Sequence, residues 1–198
     1  MKKTVNFRIV AIIFLCLLAV EATPCKTSSQ IHDAVADEYS VYAAALDKYV
    51  GSGSYVAAAT TFVPVREKEL DRALSFPIDD ADHLSRALIE DFKSRNRHSQ
   101  PLAQHFPEGI HVVFLSEIEH KSLFASSIEE GWDNFYRKYP GASGITYLSR
   151  VGFNQKRDTA LIYVSNVRNG EVGGGAYLLL TKSNGKWSVI SRTRGWIT

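Results

Sequence analysis

Two cysteines, Cys16 and Cys25, are all the thiols in this 198-residue chain, too few for a disulfide scaffold, so stability must come from a hydrophobic core. Cysteine pairs at zinc spacing, an H-E-x-x-H helix and a G-x-S-x-G elbow are also missing, which removes the common signatures of structural zinc, zinc proteolysis and α/β-hydrolase chemistry. No uninterrupted apolar run approaches the ~20 residues that a membrane-spanning helix needs. The formal net charge is only +2, which gives no compositional case for nucleic acid. Internal repeats, low-complexity tracts and any linker long enough to divide the chain are absent too. What remains is 45% hydrophobic and 22% charged, a composition that suits one globular domain with a sizeable core.

The first residues do not belong to that domain. Lys2, Lys3 and Arg8 precede an apolar run from Ile9 to Val20, and Val20-Glu21-Ala22 offers a small-residue cleavage point, the pattern of a secretory signal. We expect residues 1–22 to be removed, the mature domain to cover 23–198, and the protein to be exported, periplasmic or extracellular. Cys16 would leave with the signal, and Cys25 would be a spare terminal thiol or an intermolecular one. Lipid attachment at Cys25 is disfavoured because Pro24, not a small residue, precedes it.

Loss of Lys2, Lys3, Arg8 and Glu21 takes 23 basic and 21 acidic residues to 20 of each, so the mature domain is formally neutral. Charge is nonetheless uneven. Residues 23–143 carry 12 basic and 18 acidic residues, whereas 144–198 carry 8 and 2. Complementary layers with protected strand edges would explain this, as would a cationic sheet face that meets an anionic ligand.

In chain order, Ser28 or Ser29 is suited to cap a helix that runs to about Val50, with Val35, Tyr39, Tyr42, Leu46 and Tyr49 on one face. A small-residue strand, 55–63, ends at Pro64, and 67–74 reads as a short helix. Asp82 is placed to cap a second main helix with Leu84, Leu88, Ile89 and Phe92 on its buried stripe. Residues 94–109 form the longest irregular segment, of the kind that is often functional or mobile. Ile110–Leu115 reads as a buried strand. Ser127 caps a third helix carrying Ile128, Trp132, Phe135 and Tyr139, which Pro140-Gly141 ends. Four strand-like runs follow, 145–153, 159–165, 175–181 and 186–192, the last continuing to Ile197, and short connectors predict an antiparallel meander.

The pattern Trp132-x-x-Phe135-x-x-x-Tyr139-Pro-Gly141, Leu148-Ser-Arg-Val-Gly-Phe-Asn154, Ala160-Leu-Ile-Tyr-Val164, Gly173-x-Gly175-x-Tyr177, Gly185-Lys-Trp187 and Trp196-Ile197 resembles a family of uncharacterised secreted bacterial proteins. Asp91-Phe92, Asn96, Pro101-Leu102 and Phe106 fit its middle region more loosely. The motifs are structural and imply no activity. The resemblance implies two cysteines in the glycine-rich connector; here 166–175 has none.

The predicted class is α+β, with about three main helices on a curved antiparallel sheet that ends in a four-stranded meander. At fold level this is similar to the cystatin-like and nuclear-transport-factor-2-like cones, whose pocket lies between helices and sheet. Gly170-x-x-Gly173-Gly-Gly175 has a superficial phosphate-loop look, but strands flank it on both sides, which favours a hairpin connection. Glu117-x-Glu119-His120 and Asp79-Asp80-x-Asp82-His83 are the densest ligand-like groups, yet each sits at an element end where caps and solvated turns are the simpler reading. His111 reads as an edge or surface histidine, and Ser149 as polar strand surface. Neither a metal site nor a cofactor is predicted. Arg192 and Arg194, two apart on the last strand, share a face, and with Arg150 they would form a guanidinium cluster suited to carboxylate or phosphate. Two functions fit: a secreted, non-catalytic module that binds a small anion or a protein partner, or a small hydrolase or isomerase with an acid–base pair between helices and sheet. Oligomeric state is open.

Overall fold

The run Thr159-Ala-Leu-Ile-Tyr-Val-Ser165 lacks polar alternation, and a strand of that kind needs cover on both faces. In the structure, a computed structural model that describes residues 28–51, 54–61, 83–169 and 172–197, it has that cover. Among the described residues there are four helices, α1 (Ser28–Tyr49), α2 (Arg86–Arg95), α3 (Glu117–Leu123) and α4 (Ile128–Lys138). The strands are β1 (Ser54–Ala58), β2 (Val112–Leu115), β3 (Ala142–Leu148), β4 (Gly152–Phe153), β5 (Thr159–Arg168), β6 (Val172–Ser183) and β7 (Lys186–Ile197). The signal segment, Cys25, the 67–74 helix and Asp79–Asp82 lie outside the described residues, as do the side chains of 28–32, 54 and 194–197.

The strands form one open, seven-stranded sheet in the order β2-β1-β3-β5-β6-β7, with β4 also on β5. The fold is α+β as predicted, and β5, β6 and β7 make the antiparallel meander. The sheet is mixed, however. β1 runs parallel to both β2 and β3, because the segments joining β1 to β2 and β2 to β3 contain helices that carry the chain back to the same end.

Each face has its own helices. Ala160, Ile162 and Val164 of β5 pack with Ala176, Leu178 and Leu180 of β6 under Tyr39, Tyr42 and Leu46 of α1. On the opposite face Leu161, Tyr163, Tyr177 and Leu179 meet Leu88 and Phe92 of α2. Farther along that face, Trp132 and Phe135 of α4 cover Val56, Leu115 and Ile145, one residue from each of β1, β2 and β3. Each buried Val, Leu, Ile or Phe side chain among these contributes about 1.5–3 kcal/mol by leaving water.

Several local readings change. The cap of α2 is Ser85, whose Oγ accepts the Leu88 N–H, three positions beyond Asp82. The Ser127 cap of α4 stands as predicted, accepting from Glu130 at 3.1 Å, but Ile128 is 68% exposed because it precedes the turn that packs. β1 ends at Ala58, and β2 is an outer strand with Val113 45% exposed, rather than a buried one. The glycine-rich connector is mostly strand: β5 and β6 stay paired as far as Arg168 and Val172, and Gly173, Gly174 and Gly175 are inside β6. The helix and strand patterns place Trp132, Phe135, Val151, Tyr163, Leu179, Trp187 and Trp196 in the core; the first six are buried, and the side chain of Trp196 lies outside the described residues.

Candidate functional site

One extra residue between β3 and β4 builds the site. Leu148 pairs with Val164 on β5, whereas Gly152 pairs with Leu161. Four steps along one strand therefore match three along the other, the signature of a β-bulge, which re-aims side chains. Ser149, read from sequence as polar surface, is fully buried here. Its Oγ accepts the Tyr163 N–H at 2.9 Å, and its own N–H donates to the Tyr163 carbonyl. The bulge strips Arg150 of ladder partners, and Asn96, just past the end of α2, replaces them. Asn96 Oδ1 accepts the Arg150 N–H at 2.8 Å, and Asn96 Nδ2 donates to the Arg150 carbonyl at 2.9 Å. Buried backbone groups need such partners.

So aimed, Arg150 meets Glu38 of α1. Nε and Nη2 donate to the two carboxylate oxygens at 2.6 and 3.0 Å, a bidentate pair. Tyr42 Oη and the Val151 N–H donate to the same carboxylate at 3.0 and 3.3 Å, and Arg95 Nη1 stands 3.7 Å away. Burial pushes the Glu38 carboxyl up, but the Arg150 hydrogen bonds and charge, then those from Tyr42 and Val151, outweigh it and hold the group below its ordinary value. The Arg150 guanidinium is raised, first by its hydrogen bond to Glu38. Burial, then the Glu38 charge, pushes Tyr42 well up.

Beside this pair α1 anchors a second. Asp37 accepts from Lys182 at 2.6 Å and from Arg157 at 3.3 Å. The Arg157 guanidinium lies 4.0 Å above the Phe153 ring, and Asp91 joins in by accepting from Phe153 N–H and from Arg95. Two consecutive acids of α1 thus clamp the helix onto the sheet through bases 112 to 145 positions away.

A cleft opens next to the Glu38–Arg150 pair. Its volume is about 250 Å³, and Val35, Tyr39, Gln100, Leu102, His105 and Arg150 are among the residues that line it. The irregular 94–109 segment supplies one wall, and it is held in place. Thr61 and Gln100 exchange two hydrogen bonds at 2.7 and 2.8 Å, and the Leu102 N–H donates to the Ala59 carbonyl. Ala103 N–H donates to Tyr39 Oη at 2.7 Å, and His105 and Phe106 both pack edge-on against the Tyr39 ring.

The three predicted arginines are not all placed together. Arg150 lines the cleft. Arg192 is exposed, with its guanidinium 4.7 Å over the Tyr49 ring. Glu38 and Tyr49 are eleven residues apart on α1, about 16 Å along the axis, so Arg150 and Arg192 are not neighbours. Arg194 pairs with Ala176 in the sheet, and its side chain is outside the described residues. Sequence reasoning gave no site role to Glu38, nor to Asp91 and Asn96, which it named only as loose matches to the resembled pattern. A signal for Glu38 existed: it stands three after Val35 and four before Tyr42, a charge within the apolar stripe of α1, and a charge buried there needs a partner.

Among the described residues no three His, Cys, Asp or Glu side chains gather as a metal site would require. Glu117 pairs with Lys121, Glu119 with Lys138 and Tyr139, and the His120 ring stacks on Phe124. No described helix is long and apolar enough to cross a membrane. No protein-family model, curated protein or solved structure matches the chain.

Proposed function

We propose that this is an exported, non-catalytic binding module whose Arg150 cleft receives a small ligand through a carboxylate or an equivalent oxygen acceptor. One observation carries the reading: Glu38 fixes Arg150 through Nε and one Nη2 hydrogen while the same side chain lines the cleft. A guanidinium has five N–H donors, so three are left over, on a group that is already oriented. At about 250 Å³ the cleft is below the usual range for drug-sized ligands, which favours something the size of an amino-acid side chain, free or at the tip of a protein partner. Val35, Leu102 and the Tyr39 ring would take the apolar part. Export is supported by the Lys2–Arg8 charges, the Ile9–Val20 run and the Val20-Glu-Ala22 cleavage point, and by the resemblance to secreted proteins.

The competing reading, an acid–base enzyme, would use His105 with Glu38. Glu38 already accepts four hydrogen bonds, and its carboxyl is held low. Both features oppose a base poised near neutrality.

Thermal shift and calorimetry with acetate, succinate, glutamate and phosphate test the site, since a ligand at 100 times its dissociation constant stabilises by ~2.7 kcal/mol. Ala103→Trp, at an exposed lining position, should abolish the shift, while the Arg192→Ala/Arg194→Ala double variant should keep it. No shift with any anion, or an unchanged one in Ala103→Trp, would refute the cleft; loss in the double variant would move the site to β7. Mass spectrometry of the protein from its host should find an N-terminus near Thr23, and an intact Met1 would refute export.

A further inference from the structure

A second cavity lies on the other side of β1. Val56, Leu115 and Ile145 sit under α4. One pair farther along β1 and β3, on the same face by strand alternation, come Ala58 and Tyr147, the latter packed against the edge of that cluster. There a cavity of about 350 Å³ opens beside Ser116, Glu117 and His120 at the start of α3. Ala58, Ala59, Leu115 and Ile145 give it an apolar floor, Tyr147 forms a wall, and His120 lies at the α3 side.

Two features point to a ligand site. β1 and β2 are parallel, paired through Ala58 and Leu115 at their carboxyl ends, and the cavity lies there. The first feature is size: Ala58 and Ala59 present only methyl groups, and the space beside them is in the range for a small ligand. The second is His120. Its ring is fixed by stacking on Phe124, centroids 4.7 Å apart and 21° from parallel, and its ring nitrogens make no hydrogen bond within the described residues, so an oriented polar group borders an apolar cavity. His120 belongs to the densest ligand-like motif in the chain, and the Arg150 cleft makes no use of it.

We infer that the cavity at the carboxyl ends of β1 and β2 binds a neutral aromatic molecule of one or two rings, its body on Ala58, Ala59, Leu115 and Ile145 and its single N–H or O–H group on the His120 imidazole. An apolar floor disfavours a charged body. The Glu117 carboxylate on the rim further disfavours an anion, which separates this site from the Arg150 cleft.

Indole is the test probe, titrated into ¹⁵N-labelled mature protein and followed by amide shifts. The amides of Ala58–Thr60 and Ser116–His120 should move together at concentrations up to about 2 mM, with a weak-fragment affinity. Ala58→Leu, which fills the cavity, should weaken binding by about tenfold or more. His120→Leu keeps the apolar wall and removes the nitrogens, and should weaken it about fivefold, the value of one hydrogen bond. The inference is overturned by the absence of any shift, by shifts centred elsewhere, or by unchanged affinity in His120→Leu. That last outcome decides the matter even where Ala58→Leu does not fold.

Discussion

Glu38→Gln tests the clamp that positions Arg150. The amide has the shape of the carboxylate but one acceptor oxygen in place of two. With its oxygen at the Oε1 position it keeps Arg150 Nε, Tyr42 Oη and Val151 N–H, and its NH₂ then faces Arg150 Nη2 at 3.0 Å and Arg95 Nη1 at 3.7 Å, donors against donors. The opposite orientation sets the NH₂ against three donors. At least one charge-assisted hydrogen bond is lost, which is worth about 1.5–3 kcal/mol, and Arg150 loses its counterion. Breaking a fully buried pair costs about 3–5 kcal/mol. The side chains here are 11% and 26% exposed, so solvent screens part of that, and about 2–4 kcal/mol is the expected loss.

Urea unfolding measures it as a lower midpoint with an unchanged slope. Glu117→Gln, whose ion pair with Lys121 is 80% and 72% exposed, should leave the midpoint in place. The pH dependence gives an independent check. Glu38 is held below its unfolded value in the fold, so the unfolded chain binds the proton more readily. The contribution is full above the unfolded value of about 4.3 and is lost as pH falls through the lower folded value. Wild type and Glu38→Gln should therefore differ most near neutrality and converge in acid. A loss under about 1 kcal/mol, or a gap that does not close below about pH 4, would refute the clamp.

Gly152→Ala should cost about 1–3 kcal/mol or more, because a Cβ there would lie 2.5 to 2.7 Å from the Cβ, Cα and N atoms of Phe92; a neutral result in denaturant would show that α2 can move off β4. Trp187→Ala should cost about 3–5 kcal/mol, the range for a deleted core aromatic. Trp187 is 8% exposed and packs on Phe153, and a loss under about 1 kcal/mol would place the centre of the core elsewhere.

Local pattern carried much of the architecture. The stripe of α1, the Ser127 cap, the Trp132 and Phe135 face of α4 and the strands of the meander were legible because each depends on spacings within one or two turns or a few strand residues. Boundaries moved where the competing signals are equally local. Asp82 and Ser85 are both good caps, and only the packing of Leu88 and Phe92 against β5 and β6 decides where the helix begins. Likewise the glycines of β6 read as a connector, although ladder pairing with β5 holds them as strand.

The sequence by itself determined the α+β class, the strands of the meander and the helix that carries Glu38, since periodicity and apolar content need no knowledge of distant partners. Only the tertiary structure decided that β1 runs parallel between β2 and β3, that Arg150 and Val151 together oppose Ile162, and that Arg150 faces α1 while Arg192 rests on Tyr49. Sheet register and the sharing of a carboxylate by groups 112 residues apart leave no local periodicity to read. They follow from which surfaces can be buried at once, and that is a property of the whole chain.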